Sequence, residues 1–343
     1  MRYSLISGGL KLSLLLQRMK LMKGARGLGA IFTLHQVRPY AAPQPDLNRH
    51  LEITPDFLDL SLQTLQKEGY EFLPLAEVPS RLASPGERPF AVFTLDDAYI
   101  NTRRVALPVF ERFSAPFTVF VCKGLCERSH TMWWETLARL VRQAERIEIE
   151  LPSGPLDLLT DTVARKKAAF RRISAEIAGP RESEAIGALD MVAADHGIDA
   201  RALVEEAILD AEGLRQLSRH PLVSLGAHSV SHQAMTFLDD LDLKREVFAS
   251  ADYVESISGE KPLSFAYPYG DGRSVDLRTA RQVRQAGFDL AVTTLPGTLK
   301  ATSGERIFTL PRISLNGHFQ SPQDVQALAS GIPFRLKPAV RRN

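Results

Sequence analysis

Short apolar runs recur along the chain at 30–34, 90–95, 117–121, 222–225, 263–267 and 288–293. They are rich in Val, Phe, Ile and Thr and are bounded by Gly, Pro or charged residues, the pattern of buried β-strands. Between them the apolar spacing becomes helical. Residues 54–69 open on Thr54-Pro55-Asp56, an N-cap followed by Pro at the first helical position, and close at Gly69. Residues 243–258 and 276–287 carry the same periodicity, and each ends at a Gly. Strands alternating with helices predict an α/β fold on a parallel sheet, open or closed into a barrel.

One region breaks this cadence. Apart from 147–151, residues 135–220 carry almost no strand signal, while 164–178, 182–196 and 201–217 read as helices. The span is too long for a plain connection, so it is expected to be a mostly helical insertion. Apolar Leu12, Leu15, Leu16, Met19 and Met22 recur near helical spacing among Lys11, Arg18, Lys20 and Lys23. This makes 1–28 a basic amphipathic segment, of the kind that packs on its own domain or touches a membrane surface from the side. The apolar cluster is too short to span a bilayer, and no small-residue cleavage site follows it. Residues 321–343, with Arg335, Lys337, Arg341 and Arg342, read as a solvated C-terminal tail.

With 343 residues, 44% of them hydrophobic, the chain is long enough for a sizeable core. Its net charge of only +2 gives no field that would make nucleic acid a main partner. The two cysteines, Cys122 and Cys126, are too few for a zinc ribbon, and free thiols in a reducing compartment are expected. The expected location is therefore cytoplasmic. The oligomeric state is left open.

Three strand ends carry chemistry. Thr94-Leu95-Asp96-Asp97 closes the second apolar run. Adjacent strand side chains point to opposite faces, so both carboxylates reach one site only if the backbone turns there. Otherwise one caps the next helix and the other is solvated. His228-Ser229-Val230-Ser231-His232 follows the fourth run, and two histidines four apart fall on one side of a helical turn. Two His and one carboxylate, with water completing the shell, form a catalytic rather than a structural metal set. Phe265-Ala266-Tyr267-Pro268-Tyr269-Gly270 ends the fifth run, where Pro and Gly force a turn that exposes backbone N–H groups.

In this order and context, residues 94–97, 228–232 and 266–270 resemble the three motifs of NodB-type polysaccharide deacetylases, carbohydrate esterase family 4. Leu34-His35-Gln36-Val37, Ile53-Thr54-Pro55-Asp56-Phe57, Glu68-Gly69-Tyr70 and Phe72-Leu73-Pro74-Leu75 are similar to longer bacterial members. The resemblance covers 30–134 and 221–318. It implies a distorted (β/α) barrel of about seven strands over 29–134 and 221–320, interrupted by the insertion at 135–220. It further implies one divalent metal ion on Asp97, His228 and His232, zinc by default with cobalt, nickel or iron acceptable. Asp96 would be the general base, the Tyr269 N–H would bind the oxyanion, and the substrate would be an N-acetylated carbohydrate. This makes the chain a deacetylase, a hydrolase of carbon–nitrogen bonds other than peptide bonds.

Two positions depart from the family pattern. Its third motif begins with Arg where this chain has Ala266, and Arg312 in Leu310-Pro311-Arg312-Ile313 is the candidate replacement, with a surface Arg as the alternative. The family's final Leu-x-His, which supplies the acid, is here Leu315-Asn316-Gly317-His318, one residue longer. His318 and His35 are therefore both candidates for the acid. Trp133 and Trp134 either anchor the insertion or stack on sugar rings. A glycosidase carboxylate pair is rejected because it leaves the histidines unexplained. A non-catalytic scaffold in polysaccharide assembly, motivated by the missing Arg, and a non-haem Fe(II) oxygenase are the rivals.

Overall fold

The apolar runs pair as parallel strands. The computed structural model describes residues 2–39 and 45–336. Its strands are β1 (Gly29–Leu34), β2 (Gln36–Val37), β3 (Glu52–Ile53), β4 (Glu71–Phe72), β5 (Phe90–Leu95), β6 (Phe117–Val121), β7 (Arg146–Leu151), β8 (Gly154–Leu159), β9 (Val223–Ala227), β10 (Ser264–Ala266), β11 (Leu290–Val292) and β12 (Ile313–Ser314). Seven of them run parallel in the order β11-β10-β9-β6-β5-β1-β12, with β4 also beside β5. Every residue of β1, β5 and β6 is buried, as expected of a parallel sheet covered on both faces.

The segment 310–314 joins the two edges. Leu310 bridges Val292 of β11, and β12 pairs with β1. The sheet thus curls into the distorted (β/α) barrel implied by the sequence. The flanking helices begin as their sequences dictate. Thr54 caps Pro55–Lys67 by accepting the Phe57 N–H, and Asp239 caps Asp240–Ser258, which stops at Gly259 with φ +80°.

Residues 135–220 differ in detail from expectation. The predicted strand at 147–151 has a partner, β8, and the two form an antiparallel hairpin. Gly154, Pro155 and Asp157 depress the β signal of β8, and such residues are tolerated on a two-stranded edge. Helices Val163–Ile177 and Glu182–Asp195 lie close to the predicted ones. The third predicted helix is two, Ala200–Ala207 and Ala211–Ser218, because Ile208 leaves the helix to bridge Tyr99 and Asp210 caps a new one.

The ends of the chain also pack. Within the expected amphipathic segment 1–28, the helix spans Arg2–Arg18 and buries Leu10 and Ser13 against Pro322–Ala329 and Ile332–Leu336. The expected tail instead carries two helices as far as residue 336, the first opened by a capping box between Ser321 and Asp324 with Pro322 at its first position. Residues 337–343 lie outside the described residues. No helix among those described is long and apolar enough to cross a membrane.

Gly226 fixes the spacing of β9 beside the site. A Cβ there would stand 2.5 Å from a Phe120 ring carbon and 2.9 Å from the Ser264 hydroxyl. Gly226→Ala is expected to cost about 1–3 kcal/mol of stability through overpacking, measured by urea denaturation. Unchanged stability would contradict this packing.

Candidate metal centre and cleft

The site lies where the parallel strands end, the usual mouth of α/β folds. His35 follows β1, Asp96 and Asp97 follow β5, His228 follows β9, and Tyr267 to Tyr269 follow β10. The backbone does turn at the acidic pair. Asp97 has φ +69° and Ala98 φ +57°, a left-handed bend that turns the chain after Asp96. The insertion braces this bend, since Leu209 N–H donates to the Ala98 carbonyl at 2.9 Å.

The two histidines do not sit on a helix. Residues 228–232 form a loop in which Ser229 and His232 have φ +63° and +59°, and these two reversals, rather than helical spacing, bring the rings together. The loop is held by Glu246, whose carboxylate accepts the Val230 and Ser231 N–H groups at 2.6 and 2.9 Å, and by Ser229, whose hydroxyl accepts the His232 N–H.

Asp97 Oδ1 stands 3.5 Å from the Nε2 atoms of both His228 and His232. Two ligands about 2.1 Å from one ion at tetrahedral angles lie about 3.4 Å apart, so this spacing suits a shared cation. His228 Nδ1 donates to the Ala266 carbonyl at 2.7 Å, which fixes the tautomer and leaves Nε2 with its lone pair. Asp97 Oδ1 is buried with no hydrogen-bond partner. Burial, and then the neighbouring Asp96 charge, push the Asp97 carboxyl well above the usual range, while burial keeps both histidines neutral. The trio fits a divalent cation, which would neutralise the carboxylate and use both lone pairs.

Asp96 is held differently. Arg312, fully buried, forks onto both its oxygens at 2.7 Å, and also donates to the Thr94 hydroxyl and the Thr293 carbonyl. The guanidinium thus arrives from the β12 side, while Ala266, at the start of the third motif, is packed with Phe120 in the core. Burial alone would favour the neutral acid, but the Arg312 charge and hydrogen bonds override it and hold Asp96 well below the usual carboxylate range.

Asp96, Asp97, His35, His228, His232 and Tyr269 all line one cleft of about 420 Å³. His35 Nε2 is 3.9 Å from Asp96, and burial pushes its pKa down to about 4 despite that neighbour. His318 is not among the lining residues. Its loop is drawn to the Arg49 backbone, with Gly317 N–H donating to the Arg49 carbonyl at 3.0 Å and its own N–H donating to Asn316. His50, which the sequence reading missed, does line the cleft, and its pKa is likewise pushed down to about 4, by burial and then by His318. No local motif marks it.

Trp133 and Trp134 sit where the insertion meets the cleft. They line the cleft, while their indole N–H groups donate to the Tyr269 and Tyr99 hydroxyls at 2.9 Å. Phe170 and Ser174 of the insertion complete the wall. A second missed residue is Glu182, the first of its helix and 2% exposed. It accepts the Tyr269 hydroxyl and the Ala234 N–H, so the insertion ties together the two loops that carry the second and third motifs.

Comparison with known proteins agrees with this geometry. Residues 188–291 match the family model described as polysaccharide deacetylase. That match supports an enzyme acting on carbon–nitrogen bonds, with carbohydrate de-N-acetylation as the reaction class. The matched span includes both histidines and Tyr269 and begins inside the insertion, but it leaves out the Asp pair. No curated protein sequence matches the chain. A Streptococcus pyogenes deacetylase, PplD, solved in complex with acetate, is 20% identical with a TM-score of 0.58, covering 87% of this chain and 96% of its own. IcaB from Ammonifex degensii is 16% identical with a TM-score of 0.52, covering 90% of this chain and 98% of its own. A polysaccharide deacetylase from Bacillus cereus is 13% identical at 0.54, covering 89% and 68%. At these identities the likeness shows the fold.

The buried polar contacts of the site generate two predictions. Removing the guanidinium in Arg312→Met strands a buried carboxylate and is expected to cost about 3–5 kcal/mol at pH 7. Because the folded pKa of Asp96 is depressed, the pair's contribution is complete above the unfolded value of about 4 and fades as pH falls through the lower folded value. Urea melts at descending pH, with chelator present, should therefore show the gap between variant and wild type narrowing. A gap independent of pH would contradict the pairing. For Glu182, removal of the carboxylate in Glu182→Ala should lower turnover about tenfold with metal content retained, while Glu182→Gln, whose single amide oxygen can keep only one of the two acceptor contacts, should lose less. Equal losses in the two variants would argue against this hydrogen-bonding role.

Proposed function

We propose that the protein is a zinc-dependent hydrolase that removes N-acetyl groups from a polysaccharide, an oligosaccharide or a lipid-linked glycan. The observation that carries this is the Asp97–His228–His232 trio beside a separately neutralised Asp96, both on the wall of one aromatic cleft. A divalent ion on the trio supplies carbonyl polarisation and a more acidic water.

The chain's own groups do the rest. Asp96, kept ionised and oriented by Arg312, takes the proton of the attacking water. The Tyr269 N–H, which has no hydrogen-bond partner among the described residues, donates to the developing oxyanion. His35, neutral at pH 7 and adjacent to Asp96, carries that proton on to the leaving amine. The tryptophans, Phe170 and Tyr269 offer apolar faces to a sugar ring. The missing motif Arg, which motivated a non-catalytic scaffold, has a substitute in Arg312.

Acetate release from N-acetylated glycans tests this reading, run beside metal quantification. Asp96→Asn should lose about 10²–10⁴-fold in turnover and keep its metal. His35→Ala should also keep the metal and lose turnover, whereas His228→Ala should lose both. Wild-type protein that binds a divalent ion yet releases no acetate from any acetylated glycan would defeat the proposal.

A further inference from the structure

The most concentrated exposed apolar surface of the described chain lies far along the sequence from the catalytic motifs. Leu12, Leu15, Met19, Leu21 and Met22 are each more than 40% exposed. Leu12 and Leu15 share the outer face of the helix Arg2–Arg18, whose inner face, Leu10 and Ser13, is packed, and Met19, four residues on from Leu15, lies in the turn just past its end. Lys11, Arg18, Lys20, Lys23 and Arg26 are exposed among them, and residues 6–26 contain no Asp or Glu. None of these five cations is in an ion pair among the described residues. The nearby Glu68 is occupied by Gln17 and Gln326.

The face continues into a shallow cavity of about 220 Å³ lined by Leu21, Met22, Lys23, Arg26 and Ile332, with exposed Arg335 and Leu336 on the helix that carries Ile332. Apolar side chains flanked by lysine and arginine match the boundary between acyl chains and headgroups. A second copy of the chain would set these like charges against each other, whereas an anionic bilayer neutralises them.

We propose that this face docks the protein on the surface of an anionic membrane, with Leu12, Leu15 and Met19 entering the acyl boundary and the flanking cations meeting lipid phosphates. Neither element suffices alone. A few partly inserted side chains bind reversibly and weakly, and the basic residues supply the second signal.

The test is flotation of the full chain with vesicles of phosphatidylcholine alone or mixed with phosphatidylglycerol. The protein should float with the mixed vesicles, detach as salt rises, and stay behind with phosphatidylcholine. Leu12→Ser/Leu15→Ser/Met19→Ser and Lys11→Glu/Arg18→Glu/Lys20→Glu should each lower the bound fraction roughly tenfold while metal content and acetate release from a soluble glycan stay at wild-type level. Equal binding to both vesicle types, or none to either, would overturn the proposal. So would a concentration-dependent dimer, seen by light scattering, that the serine variant abolishes.

Discussion

Two neighbouring carboxylates buried at the end of one strand are the constraint around which this site is built. Both cannot remain charged in an apolar interior without separate compensation. The chain divides the task. Asp96 receives a permanent cation in Arg312, fixed by two parallel hydrogen bonds, and Asp97 is left with an unpaired oxygen between two neutral imidazoles. The left-handed bend at Asp97 and Ala98 makes that division geometrically feasible. Similar bends at Ser229, His232 and Tyr269 bring the other loops to the same point. These left-handed positions surround the Asp97–His228–His232 trio, where neighbouring elements over-determine them.

Those neighbouring elements include the insertion. It touches the Asp loop through Ile208 and Leu209, the His loop through Glu182, and the Tyr loop through Glu182 again. It also contributes Phe170 and Ser174 to the cleft wall. The insertion is therefore a structural part of the site, consistent with a family match that starts within it at residue 188.

Much of this was legible in the sequence because it depends on local signals. The six apolar runs became core strands, although 263–267 and 288–293 shortened to β10 and β11. Asp97, His228 and His232 stood out because each follows a strand directly. Arg312 was readable as a candidate through its strand-end position. What stayed hidden depends on tertiary contact. His50 and Glu182 carry no motif, and their meaning comes from distant residues, as where Glu182 meets Tyr269, 87 positions away. The displacement of His318 follows from the Gly317–Arg49 contact, which no spacing rule anticipates. Strand β8 was obscured by its own Gly, Pro and Asp. The helical geometry assumed for 228–232 failed because Ser229 and His232 adopt a conformation that non-glycine residues seldom take.

The exchange between Ala266 and Arg312 has a wider consequence for reading such chains. A guanidinium fork has reach and a fixed planar shape, so the same carboxylate can be gripped from different strands around a closed sheet. The space vacated at the old position is then filled by a small apolar residue without loss of the electrostatic role. A motif search that scores that one column would class this chain as degenerate. A search that asks which side chain neutralises the acid, wherever it originates, would count the same chain as intact.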